Sequence, residues 1–252
     1  MKLRDQVAPR MWVNKALATA GLEVRRKPQV LVRSPHELTL TPDLLASDLA
    51  IWAAGTQLTV VQIGAYDGSA NDPVDAILRR FDWRGVLVEP QLEPFERLAA
   101  RHAGNENAFL LNAAVSDTDG ERELFTVKEG PDWTGQVASF NRDHVEKQRR
   151  QLPAGSPFNI VATSVRTCTF DTLLSKFDVD HVDVVQIDAE GYDYELLKLF
   201  DVPRRLPAIV NYEHVHLSCR DREAAAQLLV SSGYKVAMTF SSGDTIAYRR
   251  PN

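Results

Sequence analysis

The chain has 252 residues, 44% of them hydrophobic and 25% charged, with a formal net charge of −5. That length fits one large domain with an appended segment, or two small domains, around a core big enough to need no staples. The acidic balance gives no electrostatic reason to expect DNA, RNA or an anionic membrane as the main partner, and no apolar run approaches the ~18 residues of a membrane helix.

Residues 1 to 54 read as an N-terminal helical cap or lid, with an oligomer contact or simple packing on a sheet edge as alternatives. Met11 to Ala20 predicts a short helix and Val30 to Val32 a short strand. Thr41-Pro42-Asp43 starts a second helix with Pro in its first turn. No apolar run follows the basic start Met1-Lys2-Leu3-Arg4, so no signal peptide is expected. Cys168 and Cys219 form neither a CxxC pair nor a zinc spacing and read as free thiols, which predicts a cytoplasmic location.

From Leu58 onward, β-branched runs alternate with amphipathic stretches. Strands are expected at Leu58–Ile63, Gly85–Val88, Ala108–Ala113, Val182–Ile187 and Pro207–Tyr212. Helices are expected at Pro73–Phe81, Leu92–His102, Tyr192–Phe200 and Asp221–Ser231. Such alternation predicts an α/β fold with a mostly parallel sheet and helices on both faces. Tyr234–Thr239 and Thr245–Tyr248, joined by Ser241-Ser242-Gly243-Asp244, predict an antiparallel hairpin on its C-terminal edge. One domain is expected over 55–252. Residues from about 116 to 165 interrupt the pattern and read as an insertion near the substrate opening, with an edge strand at Val165–Thr169 and a helix over Phe170–Phe177 begun by Asp171.

Four strand ends carry chemistry. The first, Ile63-Gly64-Ala65-Tyr66-Asp67-Gly68, is a glycine-bounded turn at the binding edge of an open sheet. Its GxxxG spacing differs from the GxGxxG of pyrophosphate binding. Asp67 would repel a pyrophosphate but could accept hydrogen bonds from an amino acid's ammonium group. The second, Val88-Glu89-Pro90, ends a strand in an acid placed to accept both ribose hydroxyls of a nucleoside. At the third, Asn112 and Ala113 could flank the base. At the fourth, Asp188, Glu190 and Gly191 sit where strand meets helix. Each turn taken alone also reads as ordinary strand-end packing or helix capping.

In this order and spacing, IGAYDG, LVEP, NAAVSD and IDAEGYDYELL resemble the FkbM family of S-adenosylmethionine (SAM)-dependent methyltransferases, over roughly Val60 to Tyr248. The resemblance implies a class I methyltransferase, Rossmann-like sheet and O-methylation of a sugar, glycoside or other natural product. It places Gly64, Asp67 and Gly68 in the cofactor turn and Glu89 on the ribose. Asp188, Glu190 and Gly191 match the family's signature after the fourth strand. Tyr66 stands where many members carry Asn, and Gln186 where many carry Lys. The cofactor-binding set is then Gly64, Ala65, Tyr66, Asp67, Gly68, Glu89, Pro90, Asn112, Ala113, Asp188 and Glu190.

Methyl transfer from a sulfonium gains much from alignment, and an alcohol acceptor also gains from a general base. His214 is the first candidate base because an unperturbed imidazole titrates near neutrality, with Asp188 and Glu213 as further catalytic candidates and His216 behind them. Asp188, Glu213 and His214, with Glu190, could instead gather a divalent cation such as Mg²⁺. Trp133 and His144 could line an acceptor pocket. The alternatives are an NAD-dependent oxidoreductase on a similar sheet and a non-catalytic SAM-binding protein. The acceptor is expected to be a small molecule, and a homo-oligomer is compatible with the cap.

Overall fold

The computed structural model describes residues 57–69, 72–238 and 243–249. The expected cap over 1–54 and the turn residues Ser241 and Ser242 lie outside them.

The chain alternates as read. Strand β1 (Thr59–Ile63) leads through Asp72, whose carboxylate accepts from Val74 N–H at 2.8 Å, into helix α1 (Pro73–Arg80). Strand β2 (Arg84–Val88), helix α2 (Leu92–Arg101) and strand β3 (Ala108–Leu111) follow. After the inserted region come helix α4 (Phe170–Lys176), strand β8 (Val184–Ile187), helix α5 (Asp193–Leu199), the short helix α6 (Val202–Arg205) and strand β9 (Ile209–Glu213). Helix α7 (Cys219–Ser231) and strands β10 (Lys235–Met238) and β11 (Asp244–Tyr248) close the described chain. Two helix starts differ from expectation for one reason: a hydroxyl cap lies upstream of the acid. Thr169, not Asp171, caps α4, and Ser218 caps α7 ahead of Asp221.

The main sheet has the order β10-β11-β9-β8-β1-β2-β3. β9, β8, β1, β2 and β3 are parallel, and β11 alone runs against them. The chain order reverses between β1 and β8, the switch point where open sheets bind ligands. Alternate residues feed two cores. Val61 and Ile63 pack with Leu173, Leu196 and Leu229, whereas Val60 packs with Ile77, Leu78 and Leu98 on the other face. Burying both faces explains why these strands read as unbroken apolar runs.

The insertion is not the irregular stretch with one short edge strand that was expected. It forms a second sheet, ordered β4-β7-β5-β6, from β4 (Ala114–Val115), β5 (Gly120–Glu129), β6 (Ala138–Ser139) and β7 (Asn159–Cys168), with helix α3 (Arg142–Gln148) between the last two. β5 and β7 pair antiparallel along nearly their whole length. Among the described residues no helix is long and apolar enough to cross a membrane.

Candidate active site

At the switch point, β1 turns sharply through Gly64. Its φ of +80° is glycine territory, and a Cβ there would lie 1.8 Å from the carbonyl oxygen of Asp188. The N–H groups of Gly64 and Ala65 both donate to the carbonyl of Val88, at 3.0 and 3.1 Å, and so tie the turn to β2. Tyr66 holds a left-handed φ of 45°, which aims its N–H at Glu89 Oε2, 2.9 Å away. Gln91 N–H reaches Glu89 Oε1 at 2.8 Å. Two of the roughly four acceptor positions of the carboxylate are therefore filled by backbone, and about two remain for a ligand diol. Burial pushes the Glu89 carboxyl up to about 7, against the pull of these two donors.

Across the turn, β8 ends in Asp188, whose N–H donates to Ile63 O at 2.9 Å. Glu190 at φ 49° and Gly191 at φ 92° bend the chain back. Asp193, fully buried, organises this bend: its two carboxylate oxygens accept from Ala189 N–H at 3.3 Å and Gly191 N–H at 3.1 Å. Its carboxyl is pushed up to about 7 by burial, with these donors opposing. Asp193→Ala strands two partly buried donors and is expected to cost about 2–4 kcal/mol in a urea melt. An unchanged midpoint would contradict this.

Together these strand ends and the inserted sheet wall a cleft of about 740 Å³ of empty space, counting its open mouth. Gly64, Tyr66, Glu89, Pro90, Ala113, Asp188 and Glu190 of the expected set line it. Gln136, Ser139, Phe140 and Tyr192 also line it. Sequence reasoning missed these four; the first three come from the insertion. The remaining expected residues stand behind the wall. Ala65 is buried. Gly68 packs under α2, where an added Cβ would meet Leu98 and Arg101. Asp67 is engaged by Ser69 and by Arg97 Nε at 3.2 Å, which leaves an ammonium group less room than expected. Asn112 donates to the carbonyls of Glu89 and Pro90 at 2.8 and 3.1 Å, so it positions the strand end.

The expected catalytic trio is split. Asp188 faces the open cleft; protein crowding and the nearby acids Asp193 and Glu190 raise its carboxyl well above the usual range. Glu213 lies behind it, raised by burial and by Asp188 and Glu190. His214 departs from the role expected of it. It is 2% exposed, its Nδ1 lies 2.9 Å from Thr245 Oγ1, and burial beside the Arg222 cation pushes it down to about 4. An imidazole so placed is a weak base and does not border the cleft. The cation set shifts likewise: Asp188, Glu190 and Glu213 bring oxygens within 4.8 Å of one another, and His214 is not among them.

A sequence profile described as the methyltransferase FkbM domain matches residues 62–236, more than half the chain. The chain belongs to the FkbM methyltransferase family. The matched region is therefore a SAM-dependent methyltransferase domain, which the oxidoreductase alternative does not fit. The fold of this FkbM protein is similar to that of an FkbM methyltransferase from Methylobacillus flagellatus (TM-score 0.49, 11% identity), over 77% of this chain and 44% of that one. The chain thus spans under half of that protein's length. It is also similar to an O-methyltransferase from Bacillus cereus solved with S-adenosylhomocysteine (SAH) (TM-score 0.42, 10% identity, 95% of this chain and 90% of that one). A precorrin-6y C5,15-methyltransferase from Geobacter metallireducens is similar at TM-score 0.42 and 13% identity, over 88% of this chain and all of that one. No curated protein sequence matches the chain.

Proposed function

We propose that this enzyme is an O-methyltransferase that methylates a hydroxyl of a small polar molecule, a sugar or glycoside in particular. One observation carries the reading: Glu89, with acceptor capacity to spare, and the acid Asp188 flank the same glycine turn in one cleft. On this reading Glu89 would hold the ribose diol of SAM, the turn at Gly64 would make room for its methionyl arm, and Asp188 would stand on the acceptor side of the cleft. Bound SAM would supply the electrophilic methyl group, and Asp188 would take the proton of the attacking acceptor hydroxyl. Burial and the neighbouring acids Asp193 and Glu190 raise the Asp188 carboxyl, and a higher pKa makes its carboxylate the stronger base. The polar groups Gln136 and Ser139 and the rings of Phe140 and Tyr192 offer the hydrogen bonds and stacking faces that a sugar ring uses. Residues 55–252 are the catalytic domain on this reading, with 1–54 an appended cap.

The test is transfer of labelled methyl from SAM to a panel of sugars and glycosides, with the product bond located by mass spectrometry. Asp188→Asn is expected to lower kcat by about 10²–10⁴-fold while SAH affinity stays within about tenfold. Methylation only at nitrogen or carboxylate, or full turnover by Asp188→Asn, would overturn the reading.

A further inference from the structure

Behind the Asp188 wall of the cleft lies a second constellation, which shares only Glu190 with the cleft. His144 on α3, Glu190 in the β8–α5 bend and His216 after β9 bring ligand atoms within 4.8 Å of one another. Nε2 of His216 is 3.3 Å from Glu190 Oε2 and 3.5 Å from Glu213 Oε2, and Nε2 of His144 is 3.7 Å from Glu190 Oε2. Ligands bound at roughly 2.0–2.2 Å to a tetrahedral ion stand about 3.3–3.6 Å apart, and these separations cluster around that edge length.

A second observation is independent of those spacings. Oε2 of Glu190 and Oε2 of Glu213 are both shut off from solvent and accept no hydrogen bond. Carboxylate oxygens in that condition are costly unless something satisfies them. Room has also been left for the rings. His144 packs against Gly191, where an added Cβ would sit 3.1 Å from two of its ring atoms. Buried Gln148 lies 3.4 Å from Nδ1 of His216 and 3.4 Å from Nε2 of His144.

We propose that His144, Glu190 and His216 bind one first-row divalent transition ion. Two imidazoles with a carboxylate select zinc or its transition-metal neighbours over Mg²⁺ or Ca²⁺, which prefer all-oxygen shells. The ion ties the inserted α3 to the strand ends of the main sheet. It also holds Glu190, which is shared between this site and the cleft, in place.

The full-length protein, stripped with a chelator and titrated with zinc chloride, is expected to take up one zinc per chain by mass spectrometry and calorimetry. Cobalt should give the visible absorption of a tetrahedral ion, and magnesium should compete with neither. The double variants His144→Ala/His216→Ala and His144→Gln/His216→Gln are expected to lose the stoichiometric zinc and the cobalt band. His181→Ala, an exposed histidine paired with Asp183 at 3.3 Å, should leave both unchanged. SAH binding, measured on every sample, reports folding and tests the cofactor reading separately. A wild-type protein that binds SAH but no zinc overturns the metal site alone. So does a double variant that binds zinc as tightly as wild type.

Discussion

Gly64→Ala is expected to destabilise the protein by more than about 4 kcal/mol and to abolish SAH binding, the largest single-residue effect we anticipate. Two penalties coincide. The backbone adopts φ +80°, and the new methyl would lie 1.8 Å from a carbonyl oxygen of Asp188 that cannot swing aside because its strand is bonded to β1. Relief requires β1 and β8 to part where they bound the cofactor cleft, so stability and binding fall together. Urea unfolding and SAH calorimetry on the purified variant measure both. A variant within about 1 kcal/mol of wild type would show that the turn is not packed as described.

Glu89→Gln should weaken SAH binding by on the order of 100-fold, about 3 kcal/mol. The carboxylate accepts Tyr66 N–H through one oxygen and Gln91 N–H through the other, and an amide must turn its NH₂ against one of them. The same group gives binding a pH dependence. With its carboxyl near 7, Glu89 protonates on mild acidification and loses acceptor capacity, so SAH affinity should fall below about pH 7, by up to about tenfold per pH unit. Stability of the unliganded fold runs the opposite way. The folded pKa lies above the ordinary 4.5, so this group's contribution declines as pH rises from about 4.5 to about 7. Affinity that is flat from pH 5.5 to 8 in wild type would remove Glu89 from the ribose site.

The main sheet was legible because its central strands bury both faces and their turns carry their own chemistry: Gly64 after β1, Glu89-Pro90 after β2. The cofactor side of the cleft was legible for the same reason, since Gly64, Glu89 and Asp188 all fall at strand ends. The inserted sheet was not. Its long strand Gly120–Glu129 is charged on both faces along its first half, so neither period shows. Asp193 was hidden as one more acid in a helix's first turn, although an acid two residues past Gly191 is the natural acceptor for that bend. His144 and His216 are 72 positions apart, and no local pattern could announce that they meet. His214 was read by its ordinary pKa. Its burial against Thr245 depends on the β9–β11 pairing, a long-range contact.

One consequence of that pairing concerns synthesis. β10 leaves the ribosome before β11, yet β11 occupies the slot between it and β9. Until β11 emerges, β9 presents a bare backbone edge, and β10 has no neighbour on which to dock. The nascent enzyme therefore carries an open, apolar strand margin between the synthesis of β9 and that of β11, a target for chaperones and a seam for mispairing. A stop codon placed after Gly243 would cost the sheet β11 and, with it, the strand on which β10 docks.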